Sequence, residues 1–391
     1  MKKIRARYLI LFLSLPIVTY AILGGFLGKA LAKESAYRYL TVFQDVVTLV
    51  LNNYVEPVKM DTVMEGAIRG MMDALDPDSC YLTPDEYETS QKLGQEKRAG
   101  IGVEVVKRYY LQVVAVLPNS PAEQAGLKPR DLLKSIDGIN TREVNVVVGE
   151  SLLRGAAGSE SRLMVIRGRQ PDPFEVKVER EKNPTPTVAY KMLPDEIGYI
   201  HIAAFRDGVE EEVMKGVAQL AHQGAKDLVL DIRNSFGRMA DDGVRVAELF
   251  VSGGVAARLQ GRSGEKTDLN LATDRVVFEG PVVVLVNHSS SGAAEIMAGA
   301  LHHAKRAELV GGQTSGRSAV QKTIPLGDGA ALVLSVSQYF TPDDKPLLGE
   351  GIEPSVKVDE GLYVEERVGD PILEKGLEVL AETETPAKVA A

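Results

Sequence analysis

The segment from Pro281 to Gln321 limits the possible folds of this chain more than any other stretch. Pro281 to Val286 is a continuous run of apolar, mostly β-branched residues, which is typical of a buried parallel strand. A turn rich in Ser follows, and the Ala-rich stretch from Ala293 to Leu301 predicts a helix. A strand, a tight turn and a helix in this order direct the unused N–H groups of the helix start toward one point. Many folds present a nucleophile beside an oxyanion site in this way.

The polar residues of this segment follow a recognisable pattern. A strand ends in Asn, a Ser/Ala-rich turn leads to a Glu at the start of a helix, and a later glycine-rich segment ends in Gln. This pattern resembles the C-terminal processing (tail-specific) serine peptidases, a family with a PDZ domain and a serine–lysine dyad. The matching residues are Asn287, Glu295, Ile296, Gly299, Ala300, Gly311, Thr314, Gly316, Val320 and Gln321.

Two departures from the family pattern decide the predicted chemistry. The resemblance places the family's nucleophilic serine on Gly292, its lysine base on Arg317 and a further site position on Gln321. Glycine has no side chain to attack a carbonyl, and arginine stays protonated at working pH. The sequence therefore predicts a chain without peptidase activity, whose loss is chemical, so that Gly292→Ser with Arg317→Lys restores it, together with Arg238→Gly if that cation displaces the N–H of Gly237. An active endopeptidase that trims C-terminal tails with a neighbouring serine such as Ser291 stays an open alternative.

The resemblance also implies an oxyanion site. Leu228 to Asn234 reads as a second buried strand, and it precedes the segment that corresponds to the family's Asn-Pro-Gly-Gly turn. The implied donors are the backbone N–H groups of Gly237 and Ala293. Proline and the second glycine of the turn are lost here, which predicts a bulkier turn and a cation, Arg238, near the site.

Residues 98 to 182 change to short β-type segments with one helix, and they resemble a PDZ domain. Such a module binds an extended peptide by strand addition, with a glycine-rich loop that holds the terminal carboxylate. Ile101, Gly102 and Val103 would form that loop, and the helix near Gly149 to Arg154 the other wall. The competing interpretation is a module that packs on the core only as a lid.

The predicted fold class is a multidomain α+β protein whose core is an α/β peptidase domain of the crotonase-like (ClpP/crotonase) type. The predicted regions are a signal anchor or signal peptide (1–32), a helical region (33–97), the PDZ-like domain (98–182), the peptidase-like core (183–360), and a C-terminal helix and tail (361–391). The predicted function is binding of the C-terminal tails of exported or membrane proteins without cleavage. A structural assembly protein is a further alternative.

The N-terminus predicts the location of the protein. Basic residues precede an uncharged, apolar run from Tyr8 to Gly28, which is long enough to span a bilayer with its basic end in the cytoplasm. We predict a single-pass protein of the cytoplasmic membrane, anchored through residues 8–28, with its bulk on the periplasmic or extracytoplasmic side. The competing interpretation is a signal peptide cleaved near Ala30 to Ala32, which also exports the chain.

Composition excludes several other classes. The net charge is −9 and no basic block follows the first few residues, so nucleic acid is not a predicted partner. The single cysteine, Cys80, excludes an intramolecular disulfide and a thiolate zinc site, and we expect it to be buried. Asp76 and Asp78 indicate a turn with a helix cap instead of a metal loop. No metal and no cofactor are predicted.

Overall fold

The computed structural model describes residues 38–95, 99–168, 172–182, 187–358 and 369–384. The chain divides into two compact units, Met1–Ile68 and Arg69–Ala391. In the first unit a helix occupies residues 38–53 (α1), and several of its apolar side chains, Leu40 and Val46 among them, are exposed. The next elements are α2 (Met60–Asp73), β1 (Cys80–Leu82) and α3 (Pro84–Gln95).

The PDZ-like region forms an antiparallel sheet with the strand order β2-β3-β4-β6-β7 and with β5 beside β4. Alternate side chains of these strands point inward, and Leu111, Leu133 and Leu163 are fully buried in the module's own core. Strand β2 is the edge of the described sheet, and α5 packs beside it. The elements are β2 (Val103–Lys107), β3 (Leu111–Val116), α4 (Pro121–Gln124), β4 (Leu132–Ile136), β5 (Ile139–Asn140), α5 (Val146–Leu153), β6 (Glu160–Ile166) and β7 (Phe174–Glu179).

The core alternates strands and helices, as its sequence predicts. Its elements are β8 (Val188–Met192), β9 (Ile197–Ile202), β10 (Ala204–Phe205), α6 (Val209–His222), β11 (Asp227–Asp231), β12 (Phe236–Gly237), α7 (Ala240–Ala247), β13 (Val255–Gly261), β14 (Lys266–Asn270), β15 (Val282–Val286), β16 (Ser291–Gly292), α8 (Ala293–His303), β17 (Glu308–Gly311), β18 (Ala319–Pro325), β19 (Ala331–Phe340), β20 (Val356–Lys357) and α9 (Pro371–Glu384).

The main sheet of the core has the order β20-β17-β15-β11-β9-β8, and all its neighbours are parallel except β8 and β9. Helices cover both faces. Val282 and Val284 of β15 belong to the large core with α6, α7 and α8, while Val283 and Leu285 pack with α9. This burial on two sides explains why β15 is a continuous apolar run instead of an alternating one.

An ion-pair network attaches α9 to the sheet. Arg233, just after β11, donates from Nε to Oδ1 of Asp231 at 2.9 Å and from Nη1 to Oδ1 of Asp370 at 2.8 Å. Asp370 immediately precedes α9, so the guanidinium joins the end of a central strand to the start of the last described helix.

A second, antiparallel sheet has the order β1-β19-β13-β14, with β18 beside β19. Cys80 in β1 is buried in it, as predicted. Burial raises the pKa of the Cys80 thiol to about 12, so the thiol is protonated at neutral pH and is a poor nucleophile.

The predicted strands at Leu228–Asn234 and Pro281–Val286 are confirmed as β11 and β15, and the predicted helix after the Ser-rich turn as α8. The prediction of a single-pass membrane anchor is contradicted. Within the described ranges no helix is both long enough and apolar enough to span a bilayer. Residues 8–28, on which that prediction depended, lie outside the described part of the chain.

Candidate active site

Three short parallel strands build the candidate site. Strands β10, β12 and β16 follow the carboxyl ends of β9, β11 and β15, and they pair in the order β10-β12-β16. Their register places Gly237 beside Gly292. Asn287 joins the same two turns, because its Nδ2 donates to Oδ1 of Asn234 and its Oδ1 accepts from the Asn234 N–H, both at 3.0 Å. The site thus lies where ligands bind in open α/β sheets, at the carboxyl ends of the strands.

The nucleophile position has a backbone that favours glycine. Gly292 has φ 63° and ψ −121°, and the φ angle lies in the left-handed region. A β-carbon added at this residue would come within 3.0 Å of the carbonyl oxygen of Gly237. The turn after β11 therefore occupies the space into which a side chain at position 292 would point.

Glu295 holds the site together. Its side chain is fully buried in the first turn of α8. Burial raises the pKa of Glu295, and the hydrogen bonds to its carboxylate oppose that rise. Its two oxygens accept from Thr314 Oγ1 at 2.5 Å, Gly316 N at 2.7 Å, Ser318 Oγ at 2.8 Å, Arg317 N at 3.0 Å and Gly292 N at 3.1 Å. One carboxylate thus binds the backbone of both predicted dyad positions.

The base position carries a paired cation. Arg317 donates from Nε to Oδ2 of Asp78 at 3.1 Å, and its Nη2 contacts Asp78 Oδ1. The Arg317 side chain is 9% exposed. Burial lowers the pKa of Arg317 to about 10, which leaves the guanidinium protonated at neutral pH. The Asp76 carboxylate accepts from the Asp78 and Ser79 N–H groups at 2.9 and 2.7 Å, which confirms the turn predicted there.

The serines before position 292 have other roles in the structure. The Ser290 hydroxyl is buried and donates to the Ile232 carbonyl at 2.7 Å. Ser291 is 1% exposed, and its hydroxyl lies 3.5 Å from the Ser235 carbonyl oxygen. Ser291 is therefore directed toward the turn after β11, where its described hydrogen-bond partner is a carbonyl and not a base.

The predicted oxyanion residues, Gly237 and Ala293, both adjoin Gly292, the first as its strand partner and the second as the next residue in the chain. Ala293 is the first residue of α8, so the helix itself does not use its N–H group. A β-carbon at Gly237 would come within 3.0 Å of Phe205 and of Ala293, so only glycine fits this point of the turn. Gln321 lies on β18 and, like Gly237 and Ala293, lines the central cavity.

A cavity of about 320 Å³ opens beside these residues. The PDZ-like module contributes Val105 from β2 and Val146 from α5, and the core contributes Gly292 and Arg317. The space between β2 and α5 is thus continuous with the space at the predicted dyad positions. A peptide that pairs with β2 could extend into the core.

The predicted carboxylate loop of the PDZ-like module precedes β2, with Ile101 buried. Gly102 has φ 83°, and a β-carbon there would come within 3.0 Å of the Ser120 side chain. Glycine is thus required at this position of the loop. Val103 begins the edge strand and pairs with Val116 of β3.

Arg238 connects the two parts of the site. The sequence of the turn predicted a cation near the site. The guanidinium of Arg238 forms an ion pair with Glu150 of α5. The side chain of Arg238 is 48% exposed and that of Glu150 is 24% exposed. Glu104 on β2 is near both. Burial and the charge of Glu150 raise the pKa of Glu104 to about 7, while Arg238 opposes that rise.

Three residues of the site were not predicted from the sequence. Asp78 is 239 positions from its partner Arg317, and Glu150 is 88 positions from Arg238, so no local pattern connects them. Ser318 donates from Oγ to Oε2 of Glu295 at 2.8 Å, and the same oxygen lies 3.2 Å from the Gly292 carbonyl oxygen. Ser318 occupies the position of the second glycine in the family's Gly-Lys-Gly segment. This departure from the pattern could have identified it as a site residue from the sequence.

Comparisons with known proteins agree with this geometry. Residues 196–358 match peptidase family S41, residues 112–168 match a PDZ domain, and residues 27–86 match the N-terminal domain of the activating protease CtpB. The carboxy-terminal processing protease CtpA of Bacillus subtilis (strain 168) is 30% identical over 313 residues, which cover 79% of this chain and 67% of that protein. The chain belongs to the C-terminal processing serine peptidase family.

Further relatives extend the comparison. A carboxy-terminal-processing protease of Bartonella bacilliformis is 29% identical over 338 residues, which cover 84% of this chain and 77% of that protein. Among solved structures, a photosystem II D1 C-terminal processing protease has a TM-score of 0.63 and 26% identity, and the match covers 83% of this chain and 89% of that one. Within the family, this member carries Gly292 and Arg317 at the positions that the sequence pattern assigns to the dyad.

Proposed function

We propose that this family member binds the C-terminal tails of other proteins without cleaving them. The tail pairs with β2 of the PDZ-like module, its carboxylate is held by the N–H groups at Ile101 to Val103, and its adjacent part extends toward the central cavity. Strand addition to an exposed sheet edge is the established mode of peptide binding for such modules. We assign the core to the crotonase-like type as part of the same proposal.

The proposed absence of cleavage rests on one observation. The backbone of the two dyad positions is held by Glu295, yet position 292 has no hydroxyl and position 317 has a guanidinium paired with Asp78. Acyl transfer by a serine requires a hydroxyl within hydrogen-bond reach of a group that accepts its proton. The frame of a peptidase site is therefore retained, while the groups that would perform the reaction are absent from these positions.

The test uses the chain from residue 38 to its end and an unstructured peptide with an apolar C-terminus and a fluorescent label. Fluorescence polarisation measures binding, and mass spectrometry of the same mixture measures cleavage. We expect saturable binding and an intact peptide after prolonged incubation. Cleavage by the wild type that disappears in Ser291→Ala would instead establish an active peptidase with Ser291 as nucleophile. Neither binding nor cleavage would favour a structural assembly role.

A further inference from the structure

The charged residues where the PDZ groove meets the central cavity suggest which tails are preferred. Glu104 on β2 and Glu150 on α5 stand on the two walls of the groove. Arg238 reaches across from the turn after β11 and forms an ion pair with Glu150. Two other guanidinium groups act on Glu104, those of Arg154 after α5 and Arg206 after β10. Arg238 is thus a cation of the core that interacts with a carboxylate on each wall of the groove.

A tail that passes from β2 into the cavity meets Arg238, because Val105, Val146 and Arg238 line the same cavity. Its entry therefore competes with the Arg238–Glu150 ion pair. Separating the Arg238–Glu150 pair leaves two charges without partners. The free-energy cost is larger for Glu150, whose side chain is 24% exposed, than for Arg238, whose side chain is 48% exposed. The guanidinium can turn toward water, but the carboxylate stays in the groove near the second carboxylate, Glu104. An unpaired, partly buried charge is costly, so the carboxylate requires a new cation.

We propose that Glu150, with Glu104, selects tails that carry a lysine or arginine upstream of their C-terminus, and that this side chain takes the place of Arg238. The inference rests on the proposed tail binding and adds a specificity to it. The charge count of the cluster is unchanged when one cation replaces another, whereas an apolar side chain leaves Glu150 unpaired. Arg238 then acts as an internal substitute for the ligand's basic group.

The test compares short labelled peptides with the same apolar, free C-terminus, in which a single lysine or a single methionine occupies each upstream position in turn. For the wild type we expect one lysine position to bind about tenfold more tightly than its methionine counterpart, as for a hydrogen bond to a charged group. Glu150→Gln should bring that ratio to about one. Glu160→Gln removes a carboxylate of the same module on β6, where its partner is Arg162, and should keep the wild-type ratio.

A second variant keeps the inference separable from the proposed function. Arg238→Ala removes the group to be displaced, so it should strengthen binding of all peptides and retain the preference for lysine. Equal affinity of lysine and methionine peptides in both the wild type and Arg238→Ala would overturn the inference and leave tail binding intact. Absence of binding in both proteins would overturn tail binding itself, and the inference with it.

The pH dependence gives an independent readout. Arg238 lowers the pKa of Glu104, which is about 7 in the free protein, and a lysine that replaces Arg238 keeps that influence. A methionine peptide displaces Arg238 without replacing its charge, so the pKa of Glu104 rises, a proton is taken up on binding, and the affinity of this peptide should fall as the pH is raised from 6 to 8. The lysine peptide should show a smaller change. In Glu104→Gln the pH dependence of the methionine peptide should fall to that of the lysine peptide, and an unchanged profile would contradict the assignment to Glu104.

Discussion

Among single residues, Gly292 has the largest effect on what the site can do. It stands where the sequence pattern places the family's nucleophilic serine, and it also has the φ angle that favours glycine and the close approach of the Gly237 carbonyl. A non-glycine residue held in such a conformation stores about 1–3 kcal/mol of strain. The sequence predicted a purely chemical loss of activity. The structure adds a steric obstacle that the sequence pattern did not contain.

We therefore expect Gly292→Ser with Arg317→Lys to remain inactive. The new serine would collide with the Gly237 carbonyl, so its hydroxyl would not reach a productive position. Adding Phe236→Pro and Arg238→Gly restores the family's turn and should allow cleavage of an apolar-tailed, unstructured substrate, measured by mass spectrometry. The turn changes with Gly292 retained serve as the control and should stay inactive. Cleavage by the variant that carries only the two dyad substitutions would show that the cause of inactivity is chemical and not steric.

Among the helices and strands, the start of α8 is joined to the segment from Thr314 to Ser318 by a single buried carboxylate. Glu295 joins the first turn of α8 to the segment from Thr314 to Ser318 through five hydrogen bonds. All five partners are hydrogen-bond donors, so both carboxylate oxygens of Glu295 have to act as acceptors. The helix start, the nucleophile position and the base position should consequently lose their order together.

Glu295→Gln tests this dependence. The amide NH₂ would face two or three donors and leave them unsatisfied, so we expect a loss of about 2–4 kcal/mol in the free energy of unfolding. The chain has no tryptophan, so urea unfolding is best followed by far-UV circular dichroism. Glu308→Gln, an exposed change at the start of β17, is the matched control. Equal stability of the two variants would contradict the central role of Glu295.

The longer elements could be predicted from the sequence, while the elements that form the site could not. Strand β15 is an uninterrupted apolar run, and α8 follows it as an Ala-rich stretch, so both were identified. Strands β10, β12 and β16 have two residues each, which carry no periodicity. Their pairing depends on the parallel register of the longer strands before them. The ion pairs at Arg317 and Arg238 likewise depend on tertiary contacts between distant segments.

Across the second unit of the chain, the PDZ-like module and the core share one cavity. A tail held by its carboxylate at the loop before β2 would be aligned so that its upstream part enters that cavity. The carboxylate contact therefore sets the register of the entire bound segment. Losing it should weaken binding at every position that follows.

Amidation of the peptide's C-terminus tests this arrangement. Removing the charge deletes the charge-assisted hydrogen bonds to the loop, at about 1.5–3 kcal/mol for a bond to a charged group, so we expect at least a tenfold rise in Kd. Isothermal titration calorimetry on free and amidated peptides measures the difference. Acetylation of the N-terminus should leave the affinity unchanged. Equal affinities of the free and amidated peptides would exclude a carboxylate site at Ile101 to Val103.

The close approach of the Gly237 carbonyl to position 292 also disfavours a single mutation to serine at this position. A mutation that returned serine to this position would lower stability at once, because the turn still fills the space of its β-carbon. If the chain lacks peptidase activity, as we propose, rebuilding the turn first would bring no gain in catalysis, because position 292 would still lack a hydroxyl. Neither step is favoured on its own, so on that proposal the arrangement has no easy single-step route to proteolysis.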